Sequence, residues 1–268
     1  MAKTTAKCKG LCKQTYPVKM MKKIESPGHN YFFVCPDCAT REESYYDEND
    51  KLSHKEKKHG FTVSYEVETG TRNVASNLFY EYGFLPTEDG SICGTEWKTP
   101  IYVSFNGIKQ LLRSVEKVGL FTNDEGCHTN IGNKKLTPEM IKEIRYSHIA
   151  LFKPLSDYML KNPEDVKRIF GRNFKYYAQA YRIDSNPLQH ELFINLQHST
   201  HIEFRICKFV TANQLFNATM LCREIVGCII TNYLDYLVDS SDDVLRRKLS
   251  VTSNKLISLF QKYAKKSV

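Results

Sequence analysis

Glu66 and Glu68 stand two positions apart in FTVSYEVETG (residues 61–70), whose alternation of apolar and polar residues predicts a β-strand. Residues i and i+2 of a strand share a face, so the two carboxylates point the same way. Like charges so placed repel, and the ordinary outcome is a solvent-facing edge. Three further stretches carry residues that do chemistry: Glu96 in DGSICGTEWKTP, His128 in GCHTNIG, and Glu203 with Arg205 in THIEFRICKF. Taken singly, each has a structural reading. A histidine after a small residue is commonly structural, and Glu203 with Arg205 on one strand face would make a surface ion pair of little worth. Cys127 beside His128 suggests a thiol nucleophile, but strand neighbours point to opposite faces and make a poor dyad.

The strongest metal pattern lies near the N-terminus. Cys8 and Cys12 in CKGLC, and Cys35 and Cys38 in CPDC, form paired knuckles with 22 residues between them. Four thiolates so spaced predict a structural zinc ribbon, with strand-like YFFV (31–34) inside the interval. Two disulfides are the alternative, and nothing in the chain implies an oxidising compartment. The other five cysteines (Cys93, Cys127, Cys207, Cys222 and Cys228) are scattered and read as small buried hydrophobes.

The 268 residues suffice for a sizeable core plus a small attachment, and 41% apolar with 25% charged residues is the balance of a soluble globular protein. The longest apolar-rich stretch, 214–238, is interrupted by Asn217, Arg223, Glu224 and Asn232, so it predicts a core helix and no membrane span. No apolar segment follows the lysine-rich start, which predicts no signal peptide and a cytoplasmic location, in a bacterial or phage-infected host. The net charge of +8 raises the question of nucleic acid. The first 23 residues carry seven lysines and no acid, and the chain ends KYAKKSV. Basic termini allow a weak nucleic-acid contact, while solubility is the plainer explanation.

Residues 39–60 are polar and dense in charge. They place a boundary between a 1–50 four-cysteine module with its charged linker and a 60–268 main domain with C-terminal helices. In that domain the pattern predicts a strand over 61–68, a short helix over 73–82, a strand over 93–105 and a helix over 106–118. Thr137, Pro138 and Glu139 announce a helix start. Strand-like runs follow at 191–197 and 200–210, then a long helix over 212–238 and another after Ser250. Strand pairs separated by helical segments predict an α+β fold with a mainly antiparallel sheet. There is no glycine-rich phosphate loop and no G-x-G-x-x-G.

In order, SYEVETG, DGSICGTEWKTP, GCHTNIG and THIEFRICKF resemble the amidoligase family, carboxylate–amine ligases related in fold to glutamine synthetase and glutamate–cysteine ligase. The similarity runs from about residue 60 to about 225, and YYAQAYR (176–182) is similar to an aromatic and basic segment of the family. The resemblance implies a glutamine-synthetase-like catalytic fold that uses ATP and two or three Mg²⁺ ions to form an amide through an acyl-phosphate. It implies Glu66, Glu68, Glu96 and Glu203 as ligands of ATP-bound Mg²⁺, and His128 in a metal or nucleotide role. Arg205 would face the γ-phosphate or acyl-phosphate, and Asp89, in a D-G-S segment, would be a substrate contact. The substrates implied are a carboxylate and an amine donor, in a peptide or a cell-wall component. One position departs from the family, because the second histidine of G-x-H-x-H is Asn130 here. Asparagine still hydrogen-bonds a phosphate or substrate but is never a cationic imidazole. The competing reading is a non-catalytic zinc-ribbon interaction or nucleic-acid-binding protein on a degenerate ligase fold; a metal-dependent hydrolase is a third. The ligase reading requires Glu66, Glu68, Glu96, His128 and Glu203 in one pocket, with Val67 and Phe204 on the opposite side and Arg205 open to a phosphate. It also leads us to expect that, without metal, the clustered acids raise one another's pKa values.

Overall fold

The computed structural model describes residues 5–7, 15–25, 31–34, 61–69, 79, 84–87, 95–99, 105–117, 126–133, 135–175, 178–233 and 242–266. Near the N-terminus, β1 (Thr5–Lys7) pairs with β2 (Thr15–Pro17), and β3 (Lys22–Glu25) with β4 (Tyr31–Val34), both antiparallel. The four knuckle cysteines lie outside the described residues, as does Asp89.

Among the described residues the main sheet has six strands: β5 (Phe61–Thr69), β6 (Leu85–Thr87), β7 (Thr95–Lys98), β8 (Gly126–Asn133), β9 (Ile194–Asn195) and β10 (His201–Phe204). Their order is β6-β7-β5-β8-β10-β9, and every pairing is antiparallel. With six α-helices among the described residues this is a mixed α+β architecture, as the alternation of patterns predicts. The helices are α1 (Phe105–Lys117), α2 (Pro138–Tyr146), α3 (His148–Lys161), α4 (Pro163–Phe170), α5 (Ala212–Tyr233) and α6 (Asp242–Lys266).

Period-two alternation sorts the side chains of the sheet. Val63, Tyr65 and Val67 of β5 share a face with Trp97, Cys127, Ile131, Ile202 and Phe204, and all are buried. α5 packs on β8 and also on α1, α4 and α6, while α3 packs on α6. Each large side chain so buried contributes about 1.5–3 kcal/mol relative to exposure.

Local signals set several boundaries. Thr137 Oγ1 accepts from Met140 N at 3.2 Å, Pro138 occupies the first turn and Glu139 follows, so α2 starts where the sequence places it. Gly171, at φ 80°, ends α4 in the left-handed region. A Cβ there would stand 2.8 Å from Val210 Cγ2 and 2.9 Å from Lys208 O, so a side chain is excluded twice over.

Other expectations are corrected. The run 200–210 yields only His201–Phe204, because the chain turns at Arg205. The run 191–197 yields only Ile194–Asn195; of the run 93–105, Thr95–Lys98 is strand, Thr99 is not, Phe105 already belongs to α1, and the rest lies outside the described residues. The last helix starts at Asp242, earlier than Ser250. Of the helix expected over 73–82, only Phe79 is described, and it is helical.

Candidate functional site

Register brings the chemistry together on the other face of the sheet. Glu66 of β5 stands opposite Lys98 of β7 on one side and His128 of β8 on the other. Glu68 stands opposite Glu96 and Gly126. One step along, Ser64 pairs with Asn130, Asn130 with Glu203 of β10, and Glu203 with Asn195 of β9. Side chains from five adjacent strands thus form one polar patch, although 137 positions separate Glu66 from Glu203.

His128 lies at its centre, 1% exposed. Its Nδ1 is 2.9 Å from Glu203 Oε1 and 3.7 Å from Glu66 Oε2, and its Nε2 is 3.2 Å from Glu68 Oε1. Neither nitrogen meets these oxygens in good hydrogen-bond alignment, though all three carboxylates lie within reach of the ring. Lys98 Nζ bridges Glu66 Oε1 and Glu96 Oε1, each at 3.2 Å. Arg205 Nη1 donates to Glu203 Oε1 at 3.0 Å and bonds His190 Nε2 at 2.8 Å, while its Nη2 lies 3.8 Å from Glu68 Oε1. Asn195 Nδ2 donates to Glu203 Oε2 at 2.5 Å, with His198 Nε2 3.5 Å from the same oxygen. Asn130 Nδ2 donates to Glu66 Oε1 at 2.9 Å, and its buried Oδ1 has no hydrogen-bond partner.

Two features give the patch its shape. Gly126 leaves room for a carboxylate, since a Cβ there would lie 2.5 Å from Glu68 Oε2. Arg172, just past the glycine that ends α4, donates from Nε to Ile206 O at 3.2 Å and from Nη2 to Arg205 O. That fork holds the turn after β10, from which the Arg205 side chain enters the cluster.

The electrostatics overturn one expectation. Burial works to raise the carboxylate pKa values, and Glu203 raises that of Glu66 further, but the nearby cations outweigh both. His128 and Lys98 bring Glu66 down to about 2, and His128, His198 and Arg205 hold Glu203 well below the usual range. Glu68 is lowered in the same way against its burial, by His128, Arg205 and Arg172. In return, burial disfavours the His128 imidazolium, yet Glu203, Glu66 and Glu68 hold its pKa well above the ordinary value. The mutual repulsion of the acids is thus answered by cations of the chain itself.

Glu66, Glu68, Glu96, His128, Asn130, Glu203 and Arg205 therefore share one site, with Val67 and Phe204 turned to the opposite, apolar side. Arg205 enters that site as expected, but it is engaged there by Glu203, His190 and Glu68 and is not open. Lys98, Asn195, His190, His198 and Arg172 were not singled out in the sequence. Lys98 carries a usable signal, because in TEWK it lies two residues from Glu96 and must share its face. The others depend on the chain reversals around β9 and β10, for which no local pattern exists. No protein-family model matches the chain, and no curated protein matches it significantly.

Proposed function

We propose that the protein is an ATP- and Mg²⁺-dependent carboxylate–amine ligase of amidoligase type, with a glutamine-synthetase-like catalytic fold behind an N-terminal zinc ribbon. The observation that carries the reading is the convergence of four glutamates from three strands around one buried histidine, with an arginine beside them. A donor set dominated by carboxylate oxygens suits Mg²⁺. Ligand atoms of Glu66, Glu96 and His128 lie within 4.8 Å of one another, and the unpartnered Asn130 Oδ1 offers a further hard oxygen nearby. Glu68 and Glu203 complete the set that would hold the ions. When bound, Mg²⁺ neutralises phosphate charge and aligns the γ-phosphoryl group with the acceptor carboxylate.

The chain's own groups have distinct tasks in this reading. Arg205, and Lys98 at the outer rim, stabilise the negative charge that develops as phosphate leaves ATP and later the acyl-phosphate. Asn195 and His198 orient Glu203, and Arg172 orients the turn that carries Arg205. An amine then attacks the acyl-phosphate and phosphate departs, so the enzyme needs no covalent nucleophile. A peptide or cell-wall carboxylate is the acceptor class, and Asp89 is the substrate contact in this scheme. Cys8, Cys12, Cys35 and Cys38 would hold one structural Zn²⁺; purified protein with less than about half an equivalent of zinc overturns that part.

The test is ADP release with Mg²⁺, ATP and a panel of carboxylates and amines, with products identified by mass spectrometry. Absence of Mg²⁺-dependent ATP binding overturns the ligase reading. One observation favours a non-catalytic protein on the same fold: Lys98, His128 and Arg205 already balance much of the carboxylate charge. Under that reading Mg²⁺ has no effect on stability and ATP does not bind.

A further inference from the structure

α6 differs from the other surface helices in the signs of its charges. α2 and α4 each mix two acids with two bases, and in α4 Asp165 pairs with Arg168. Such alternation is the pattern of a solvated face. From Val244 to Lys266, by contrast, α6 carries seven cations and no acid, in a chain whose net charge is only +8. Its apolar side is committed, since Leu249, Leu256, Phe260 and Tyr263 are buried. At 100° per residue, Arg247, Lys255, Lys262 and Lys265 fall on the opposite side, with Lys248 and Lys266 at its edge, about 90° from the apolar direction. Lys248, Lys255 and Lys262 repeat every seven residues, about 10.5 Å apart on a helix about 37 Å long. Asn232 accepts from Lys255 at 2.8 Å and Glu224 from Lys262 at 2.9 Å, so two of these ammonium groups are held in place by α5.

We propose that this outer face of α6 docks the phosphodiester backbone of a nucleic acid. A row of cations with no acid on its own helix beyond Asp243, and with Glu224 of α5 held by Lys262, complements a row of phosphates, and releasing their counterions drives the association. An anionic membrane is the other polyanion of similar reach. It needs large apolar side chains to enter the lipid, and among the described residues the exposed large apolar ones on this face are Val244 and Val251. The binding is to the backbone and not to base edges, so it is independent of sequence. It does not rest on the ligase reading, and either can fail alone.

The test uses the full chain and a fluorescein-labelled mixed-sequence DNA duplex, with anisotropy measured over a range of salt. Arg247→Gln, Lys255→Gln, Lys265→Gln and Lys266→Gln are combined in one variant that keeps the Lys262–Glu224 pair. A control removes the same charge from other exposed sites: Lys135→Gln, Lys142→Gln, Lys161→Gln and Lys167→Gln. The α6 variant should lose at least about tenfold in affinity, and its log–log salt slope should flatten by about 3, while the control stays within about threefold. Both variants should melt close to wild type, since exposed substitutions seldom matter to stability. Unchanged binding by the α6 variant overturns the proposal, as does an equal loss in the control, which would make the attraction diffuse. Binding of wild type to phosphatidylglycerol vesicles but not to DNA, abolished in the α6 variant, would assign the face to membranes instead and equally overturn it.

Discussion

The two faces of the central sheet are built from the same strands and solve opposite problems. On one, Tyr65, Val67, Ile131, Ile202 and Phe204 exclude water against the helices. On the other, one residue along in each strand, Glu66, His128, Asn130 and Glu203 gather charge that must be answered by charge. A slip of one residue in register would exchange the two sets, which would bury four carboxylates in the core. Register is therefore specified from both sides, and Glu203 and Phe204, adjacent in sequence, belong to different energetic regimes.

Substituting those two neighbours breaks the comparison most directly. Phe204→Ala should cost about 3–5 kcal/mol in denaturant unfolding, because a fully buried ring is lost and a cavity remains. A loss below about 1 kcal/mol would mean that the apolar face is loosely packed. Glu203→Gln should cost less stability, about 1–3 kcal/mol, since the amide keeps the shape but weakens the answer to His128 and Arg205. Under the proposed ligase reading its effect on function should be the larger one, a fall in ATP turnover of about 100-fold or more. Turnover within about threefold of wild type would make Glu203 structural only.

The apolar face was the more legible of the two in the sequence. Alternation in FTVSYEVET identifies the strand, and the chemistry of Thr137-Pro138-Glu139 marks a helix start, because both signals are local. The site was legible in its acids, its histidine and Arg205, which lie in short ordered stretches. Its balance of charge was not. Lys98 meets Glu66 only through the pairing of β5 with β7, and His190 reaches Arg205 only because the chain reverses between them. The segment 138–170 likewise breaks into three helices at Ser147 and Asn162, the second break preparing Pro163 for a first turn.

That balance of charge makes the polar face sensitive to pH, which sharpens the contrast. The folded pKa of Glu66, about 2, lies below its ordinary 4.5, so its stabilisation is present above 4.5 and is lost as pH falls toward 2. His128 runs the other way. Its folded pKa lies well above the ordinary 6.5, so its stabilisation is full below 6.5 and is lost as pH rises through the folded value. Metal-free protein should therefore be most stable between about 4.5 and 6.5, falling on the alkaline side by at most about 1.4 kcal/mol per pH unit for this one proton. His128→Gln should remove that alkaline fall. Stability that is level from about 6.5 to 8.5 in the wild type would show that the folded imidazole is neutral.

The smallest single loss, that of Tyr65→Phe, belongs to a neutral hydrogen bond under the apolar face. Tyr65 Oη lies 2.8 Å from Thr219 Oγ1, and Thr219 donates its own proton to Leu215 O at 2.8 Å. Tyr65 must then be the donor to Thr219. Removing the donor and removing the acceptor are consequently unequal. Tyr65→Phe leaves Thr219 satisfied by Leu215 and should cost about 0.5–1 kcal/mol. Thr219→Val leaves the buried Tyr65 hydroxyl without an acceptor in that direction and should cost more, about 1–3 kcal/mol. Burial keeps the Tyr65 pKa far above its ordinary value, so both losses should stay constant from about pH 5 to pH 9, where the effect of His128→Gln changes. Paired denaturation series on the three variants at several pH values check this. If the cost of Thr219→Val fell to that of Tyr65→Phe, the direction assigned to the hydrogen bond would be wrong. If either varied with pH as His128→Gln does, the two faces would be electrostatically coupled through the sheet, and the separation between them would fail.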